Sequence, residues 1–223
     1  MADGLETLEL ITGADPSWSV VWLHGLGADG HDFEPIVPEL DLPAAVRFVF
    51  PHAPVRPVTI NGGYPMRAWY DILSLERGEL EDETGIRASA AQVRTLMQIE
   101  VDRGTPVSRL ILAGFSQGGA IALHAGLRHP EPVAGIIALS TYLPLPATLS
   151  AEKTPGTERL PILMAHGTED ATIPESYGAR SRDQLRSEGY EVDWRAYPMG
   201  HSVCAEEISD ISGWLRERLR API

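Results

Sequence analysis

The segment Gly114-Phe115-Ser116-Gln117-Gly118-Gly119 constrains this chain more than any other, because it must carry the backbone from a buried strand into a helix within a few residues. The preceding run, Arg109 to Ala113, is short, apolar and partly β-branched, which suits a strand covered on both faces of a parallel sheet. The run from Ala120 to Arg128 reads as a helix, with Ile121, Leu123 and Leu127 as its apolar contacts. So abrupt a reversal crowds the backbone around Ser116, and the glycines at 114, 118 and 119 relieve that crowding. The turn lifts the Ser116 hydroxyl above the end of the sheet. It also places the Gln117 N–H near a helix N-terminus, where it can meet developing negative charge.

A serine hydroxyl is a weak nucleophile at neutral pH, so this arrangement demands a histidine base and a carboxylate to orient it, in the chain order serine, acid, histidine. Four of the seven histidines follow Ser116. His124 and His129 lie on the helix leaving the turn, which carries them away from the serine, so they read as surface or helix-packing residues. His166 closes the apolar run Ile162-Leu163-Met164-Ala165 and leaves no room for an acid before it; it reads as structural. His201 remains, on a loop between a strand at Glu191–Tyr197 and a helix from about Val203 to Leu219, and it is the expected base. For the acid, the loop after the strand ending at His166 offers both Glu169 and Asp170. The shorter carboxylate is favoured, although spacing alone does not separate the two.

A second donor for an oxyanion should come from the loop after an early strand. Val20-Val21-Trp22-Leu23 is such a strand, and in the following His24-Gly25-Leu26-Gly27 the flanking glycines let the Leu26 N–H approach an acyl oxygen. His24 precedes the serine and is expected to shape this turn through a backbone hydrogen bond. Gly25, Gly27 and Gly30 match the spacing of a dinucleotide loop, yet the next strand ends in Pro51-His52 rather than in an acidic residue, which argues against a nucleotide cofactor.

With these segments located, the chain resembles the carboxylesterase and acyl-protein thioesterase family of α/β-hydrolases, from about Val20 to the last helix. The resemblance rests on Leu23 to Gly27, on Asn61-Gly62-Gly63 leading to Ala68-Trp69-Tyr70-Asp71, on Leu112 to Gly119, on His166-Gly167 with Asp170 and Pro174, and on Gly200-His201-Ser202. It implies an α/β-hydrolase fold, a triad of Ser116, Asp170 and His201, oxyanion donors at Leu26 and Gln117, and no metal or organic cofactor. It also selects Asp170 over Glu169. The family's activities are hydrolysis of carboxylic esters, of thioesters on acylated proteins and of lysophospholipids. Animal thioesterases tend to carry Asp where this chain has Ala28, which makes bacterial members the nearer comparison and places cleavage of short to medium acyl esters ahead of thioester or lysophospholipid cleavage. The resemblance assigns acyl binding to the Asn61–Leu75 stretch, where Met66, Trp69, Ile72, Leu73 and Leu75 are apolar; Trp69 and Leu73 are the residues singled out as groove lining.

The rest of the chain bounds this reading. Its 223 residues suffice for one domain spanning 1–223, with a mostly parallel central sheet and helices on both faces. Ile86, Ala90, Val93, Met97 and Val101 form one helical stripe, ended by Gly104, and Ile208, Ile211, Leu215 and Leu219 form another. The segment from Tyr142 to Leu160 reads as a surface excursion between strands. A net charge of −13 disfavours nucleic acid and anionic lipid as partners. No signal segment or membrane-length apolar run is evident, and the single cysteine, Cys204, fits a reducing compartment, so a cytoplasmic location is expected. The expected partner is a small-molecule ester or thioester; pairing of two copies as a homodimer is left open. From another class, a non-catalytic protein holding an apolar ligand on the same scaffold is the competing reading, disfavoured because binding has no need of all three triad residues.

Overall fold

Alternation of side chains along buried strands divides the core into two layers. In β2 (Trp18–Leu23), Val21 and Leu23 point into one apolar cluster while Trp18, Val20 and Trp22 point into the other. In β6 (Leu110–Phe115), Leu110 and Leu112 take the first side, and Ile111 and Ala113 take the second. Strands buried on both faces are characteristic of a parallel sheet covered by helices. The computed structural model describes residues 4–74, 80–157 and 159–220.

Seven strands form the main sheet. They are β1 (Thr7–Ile11), β2, β3 (Val46–Pro51), β6, β7 (Gly135–Leu139), β8 (Ile162–Gly167) and β9 (Val192–Tyr197), in the order β1-β3-β2-β6-β7-β8-β9. β1 runs antiparallel to β3, and every other pairing is parallel. A separate antiparallel hairpin joins β4 (Val55–Val58) to β5 (Tyr64–Arg67). On one face lie α1 (Glu83–Asp102), α2 (Gln117–Leu127), the single turn α3 (Leu149–Glu152) and α4 (Glu175–Ser187). On the other lies α5 (Ala205–Leu219). The expected architecture, a mostly parallel sheet with helices on both faces, is the one observed.

Both helical stripes pack as their periodicity requires. Ile86, Ala90, Val93 and Met97 of α1 are buried, the Asp82 side chain caps its start by accepting from the Gly85 N–H, and Gly104 follows its end at φ +103°. Ile211, Leu215 and Leu219 anchor α5 to the sheet.

Several local expectations shift. Arg109 belongs to a single 3-10 turn, and the strand begins at Leu110. α2 starts at Gln117 rather than Ala120, because Gly118 and Gly119 are the first turn of the helix and lie against β6 rather than forming a loop. The last helix starts at Ala205, two residues later than expected. The Tyr142–Leu160 segment is not a surface excursion: Leu143, Leu145, Leu149 and Leu160 are buried and close the core beside α2. His124 is buried too, where helix packing and not the surface claims it.

Glu207, in the first turn of α5, is fully buried and neither carboxyl oxygen has a well-formed hydrogen bond. It occupies the position from which a capping-box glutamate reaches back to the helix start, and the Cys204 N–H gives partial relief. Burial first, and then Asp210, pushes its protonation up to about 8. Between the ordinary carboxylate range and that value the folded state keeps a proton that the unfolded chain has released, so stability falls as pH rises, by about 1.4 kcal/mol per pH unit at most. Glu207→Gln is therefore expected to raise the melting temperature at pH values near the upper end of that window and to leave it nearly unchanged in mild acid. Equal shifts at both ends in thermal unfolding would show that the carboxyl carries no buried proton.

Candidate active site

The expected triad residues and the expected oxyanion donor Leu26 each follow the C-terminal end of a parallel strand: Leu26 after β2, Ser116 after β6, Asp170 after β8 and His201 after β9. Parallel pairing brings those ends to one edge of the sheet, where loops can converge.

Ser116 sits between β6 and α2 at φ 54°, ψ −121°, a conformation that a non-glycine residue rarely adopts. Its neighbours explain how it is held. A Cβ on Gly114 would lie 2.4 Å from the Gly118 backbone, and one on Gly118 would lie 2.3 Å from the Leu23 carbonyl oxygen. Only hydrogen at both positions lets strand, turn and helix touch. The Ser116 N–H donates to the Leu139 carbonyl, and the Ser116 carbonyl accepts from Ala120 N–H and Thr141 Oγ1. The residue is thus gripped on both sides of its strained φ.

His201 Nε2 lies 3.0 Å from Ser116 Oγ, and His201 Nδ1 lies 2.7 Å from Asp170 Oδ2. The other Asp170 oxygen accepts the Thr172 and Ile173 N–H groups, both at 2.8 Å. Since a carboxylate oxygen only accepts, His201 Nδ1 carries the proton and Nε2 presents a lone pair to the hydroxyl. The Phe115 ring packs on the His201 ring with centroids 4.7 Å apart. The loops bearing acid and base are stitched together by Thr168 N–H to Tyr197 O and by Glu169 N–H to Met199 O. A side chain at Gly167 would strike the Met199 carbonyl oxygen at 2.3 Å, which explains the glycine after His166. Glu169 takes no part in the chain from Asp170 to Ser116.

Leu26 and Gln117 line the cleft, and neither backbone N–H has a backbone acceptor among the described residues. Gly27 adopts φ +79° beside Leu26, and its N–H donates to Arg67 O. His24 shapes this turn as expected: its Nδ1–H donates to Gly25 O at 2.7 Å while Nε2 accepts the Ala53 N–H at 3.0 Å. Burial lowers its protonation to about 4, so the imidazole is neutral.

Trp69 does not line the cleft. It is wholly buried behind the wall, donating Nε1–H to the His24 carbonyl, while its own N–H donates to Gln117 Oε1. Gln117 Nε2 donates in turn to Tyr70 O. A side chain with one polar atom and a large ring is better used here as a strut, since its N–H needs a partner when buried. Leu73 is 41% exposed and borders a smaller neighbouring hollow rather than the cleft, and Leu75 lies outside the described residues. Ile72 does line the cleft, together with Ile60, Tyr70 and Phe115, around a volume of about 360 Å³. Larger hollows elsewhere, such as that between Ile162 and Trp214, contain none of these residues.

Sequence reasoning missed the Gln117 side chain, whose amide joins the turn at Ser116 to the Trp69-Tyr70 segment across 48 residues, and it missed Asp32. Asp32 lines the cleft with its side chain exposed, its carboxyl raised above the usual range by partial desolvation first and then by Asp29. Neither carries a local pattern that could reveal it. Among the described residues no cluster of His, Cys, Asp or Glu is arranged to hold a metal ion, and no helix is long and apolar enough to cross a membrane.

Comparison with known proteins places the chain among acyl-protein thioesterases and related hydrolases in similarity. The chain is 40% identical over 228 residues to acyl-protein thioesterase 1 of Mycosarcoma maydis, covering 94% of this chain and 95% of that one. It is 42% identical over 216 residues to acyl-protein thioesterase 1 of Neurospora crassa, covering 90% and 86%. Among solved structures, Zea mays acyl-protein thioesterase 2 superimposes with a TM-score of 0.86 at 30% identity, covering 96% of this chain and 99% of that one. Arabidopsis thaliana SOBER1 does so with a TM-score of 0.85 at 31% identity, covering 91% and 99%. These relatives are eukaryotic, so the expectation of a bacterial-type member drawn from Ala28 finds no support; one residue in a turn is too little to place a lineage. The model of the phospholipase/carboxylesterase family matches residues 7–219, and the chain belongs to that family of α/β-hydrolases.

Proposed function

We propose that the protein hydrolyses acyl thioesters, those of acylated proteins included, through an acyl-enzyme on Ser116. The observation that carries this reading is the continuous chain from Asp170 through His201 to Ser116, at 2.7 and 3.0 Å, beneath an apolar cleft. The sequence reading placed short-acyl carboxylic esters first; the thioesterase names of the fungal relatives reverse that order.

In this mechanism His201 Nε2 takes the Ser116 proton as Oγ forms a bond to the acyl carbon. Asp170 stabilises the resulting imidazolium and keeps its charge. The Leu26 and Gln117 N–H groups hold the oxyanion, each contributing on the order of 3 kcal/mol to the transition state. Collapse breaks the bond to sulfur, and the imidazolium gives its proton to the departing thiolate. Water then gives a proton to the same nitrogen as it attacks the acyl carbon, and Ser116 is released with its proton restored. Activity is expected to rise with pH through the acid range, since a general base must be unprotonated to accept the Ser116 proton; a flat profile would remove His201 from this role.

Ser116→Ala should lower kcat on the order of 10⁵-fold or more and abolish labelling by a fluorophosphonate. A variant that keeps burst release from a chromogenic ester would overturn the nucleophile assignment, and a wild-type protein inert to the label would point to a ligand carrier. With acyl chain held constant, an S-acyl cysteine peptide should show higher kcat/KM than the corresponding oxygen ester. The opposite ranking would restore the carboxylesterase reading.

The hydroxyl of Tyr70, which lines the cleft, lies 2.7 Å from that of Tyr142, which lines a second hollow of about 200 Å³ with Leu143 and Tyr177. The space between, bordered by both tyrosines, is only about 20 Å³. Tyr142→Ala should shift the preference among p-nitrophenyl esters toward longer acyl chains. An unchanged chain-length profile would mean that the acyl group leaves the cleft by another route.

A further inference from the structure

The carboxylate of Asp170 faces two imidazoles. His201 Nδ1 donates to Oδ2 at 2.7 Å, and His166 Nε2 stands 3.5 Å from the same oxygen. His166 is at the end of β8, and its Nε2 lies 2.8 Å from the carbonyl oxygen of Ile173, seven residues on. A carbonyl can only accept, so Nε2 bears the hydrogen and the tautomer is fixed. Nδ1 is buried with no hydrogen-bond partner among the described residues. Protonating it would place an unpaired charged N–H in the core, and burial accordingly pushes this imidazole below its ordinary protonation range.

We infer that His166 is a positioning residue for the hydrolysis proposed above: its Nε2–H closes the acid loop and restrains the Asp170 carboxylate at the same oxygen that receives His201. This inference rests on that functional reading. Ile173 is the connecting piece. Its N–H donates to Asp170 Oδ1 while its carbonyl accepts from His166, so one residue is held by the imidazole and itself holds the carboxylate. The 3.5 Å approach to Oδ2 is too long for a full hydrogen bond. It sets the positive end of an N–H dipole against the carboxylate and limits the sideways travel of Oδ2.

The surroundings hold the ring in this pose. Gly178 of α4 lies against it so closely that a Cβ there would be 2.5 Å from His166 Nδ1, and Trp194 of β9 stacks on it at 6.1 Å. The charged or titratable groups facing the ring are Asp170 on its own loop, His201 on the loop after β9, and Glu175 at the start of α4. A ring needed only to fill volume would be served by phenylalanine. A donor aimed at Ile173 O and leaning on Asp170 would not.

Removal of the N–H should act on two quantities at once. Ile173 loses its anchor and Asp170 a restraint, which lowers kcat, and His166 itself does not line the cleft. Withdrawal of a positive dipole leaves Oδ2 more negative, so the proton on the His201 imidazolium is held more tightly and the acid limb of the pH–rate profile moves to higher pH.

The test compares His166→Phe, His166→Gln and His166→Asn, using kcat and KM for a chromogenic short-acyl ester across the acid and neutral range. A second readout, which needs no substrate, is the low-field proton resonance of His201 Nδ1–H. His166→Phe should lower kcat roughly 10- to 100-fold with KM nearly unchanged, as loss of a partner behind a buried functional group does. It should also raise the pH of the acid limb and move the low-field resonance. Glutamine, whose amide nitrogen reaches the place of Nε2, should restore most of the rate and the limb; asparagine, one methylene shorter, should not. If His166→Phe fails to fold, the contrast between glutamine and asparagine decides. A folded His166→Phe protein with wild-type kcat and profile overturns the inference. So do equal losses in Phe and Gln variants with an unmoved limb, which would mark His166 as packing alone. A wild-type protein that cleaves neither ester nor thioester would instead overturn the functional reading, and the resonance would still report whether His166 positions Asp170.

Discussion

Contact between the Gly114 backbone and the Gly118 backbone, with Leu23 O pressed against Gly118, is the constraint on which this site depends. No side chain fits at either glycine, so β6, β2 and the first turn of α2 approach more closely than ordinary residues allow. Ser116 is driven into a positive-φ conformation by that approach, at a cost of about 1–3 kcal/mol. The cost is offset by burial of the strand and helix on either side, where Leu110 to Ala113 and Ala120 to Leu123 are wholly excluded from solvent. Strain and burial are therefore two aspects of one arrangement. A looser turn would relax the serine and drop its hydroxyl away from His201.

Pre-orientation extends outward through polar links between loops. His24 holds Gly25 and Ala53, Trp69 ties the His24 carbonyl to Gln117, and Gln117 holds Tyr70. Across the cleft, Thr168, Glu169 and Gly167 pin the acid loop to the segment before His201. The links around His24, Trp69 and Gln117 join buried polar groups, so the same bonds that remove a folding penalty also fix where the neighbouring backbone stands. Little reorganisation then remains for the reaction itself, which is the condition under which fixed dipoles are most effective.

What is legible in the sequence follows from this division. Steric necessity leaves a local record: glycines around Ser116, glycines around Leu26, and short apolar strands before each loop can be read one segment at a time. The strand-end positions of Asp170 and His201 are legible for the same reason, since a parallel sheet must deliver successive loops to one edge. Long-range side-chain use leaves no such record. Trp69 looks like groove lining because its composition is that of a binding surface, and only the fold shows its indole N–H engaged with the His24 carbonyl. Leu143 and Leu149 sit in a proline-rich stretch that reads as exposed, yet the gap beside α2 takes them in. His124 shows the same limit: helical position says which way it leaves the serine, but not that the neighbouring elements bury it.

The four histidines after Ser116 show how environment, not residue type, selects a base. His124 is buried with Nδ1 unpartnered, and desolvation, reinforced by Arg128 and Arg87, lowers its protonation to about 3. His166 has one nitrogen on a carbonyl and the other unpartnered. His129 uses its Nδ1 within an exposed turn. A base must instead accept a proton and then carry a charge, so it needs a donor at one nitrogen and a carboxylate at the other. Only His201 among the four has a hydroxyl at Nε2 and a buried carboxylate at Nδ1. What sets His201 apart is its partner: Asp170 stands at Nδ1 with its other oxygen held by two backbone N–H groups. The acid loop, more than the histidine, determines which imidazole is the base.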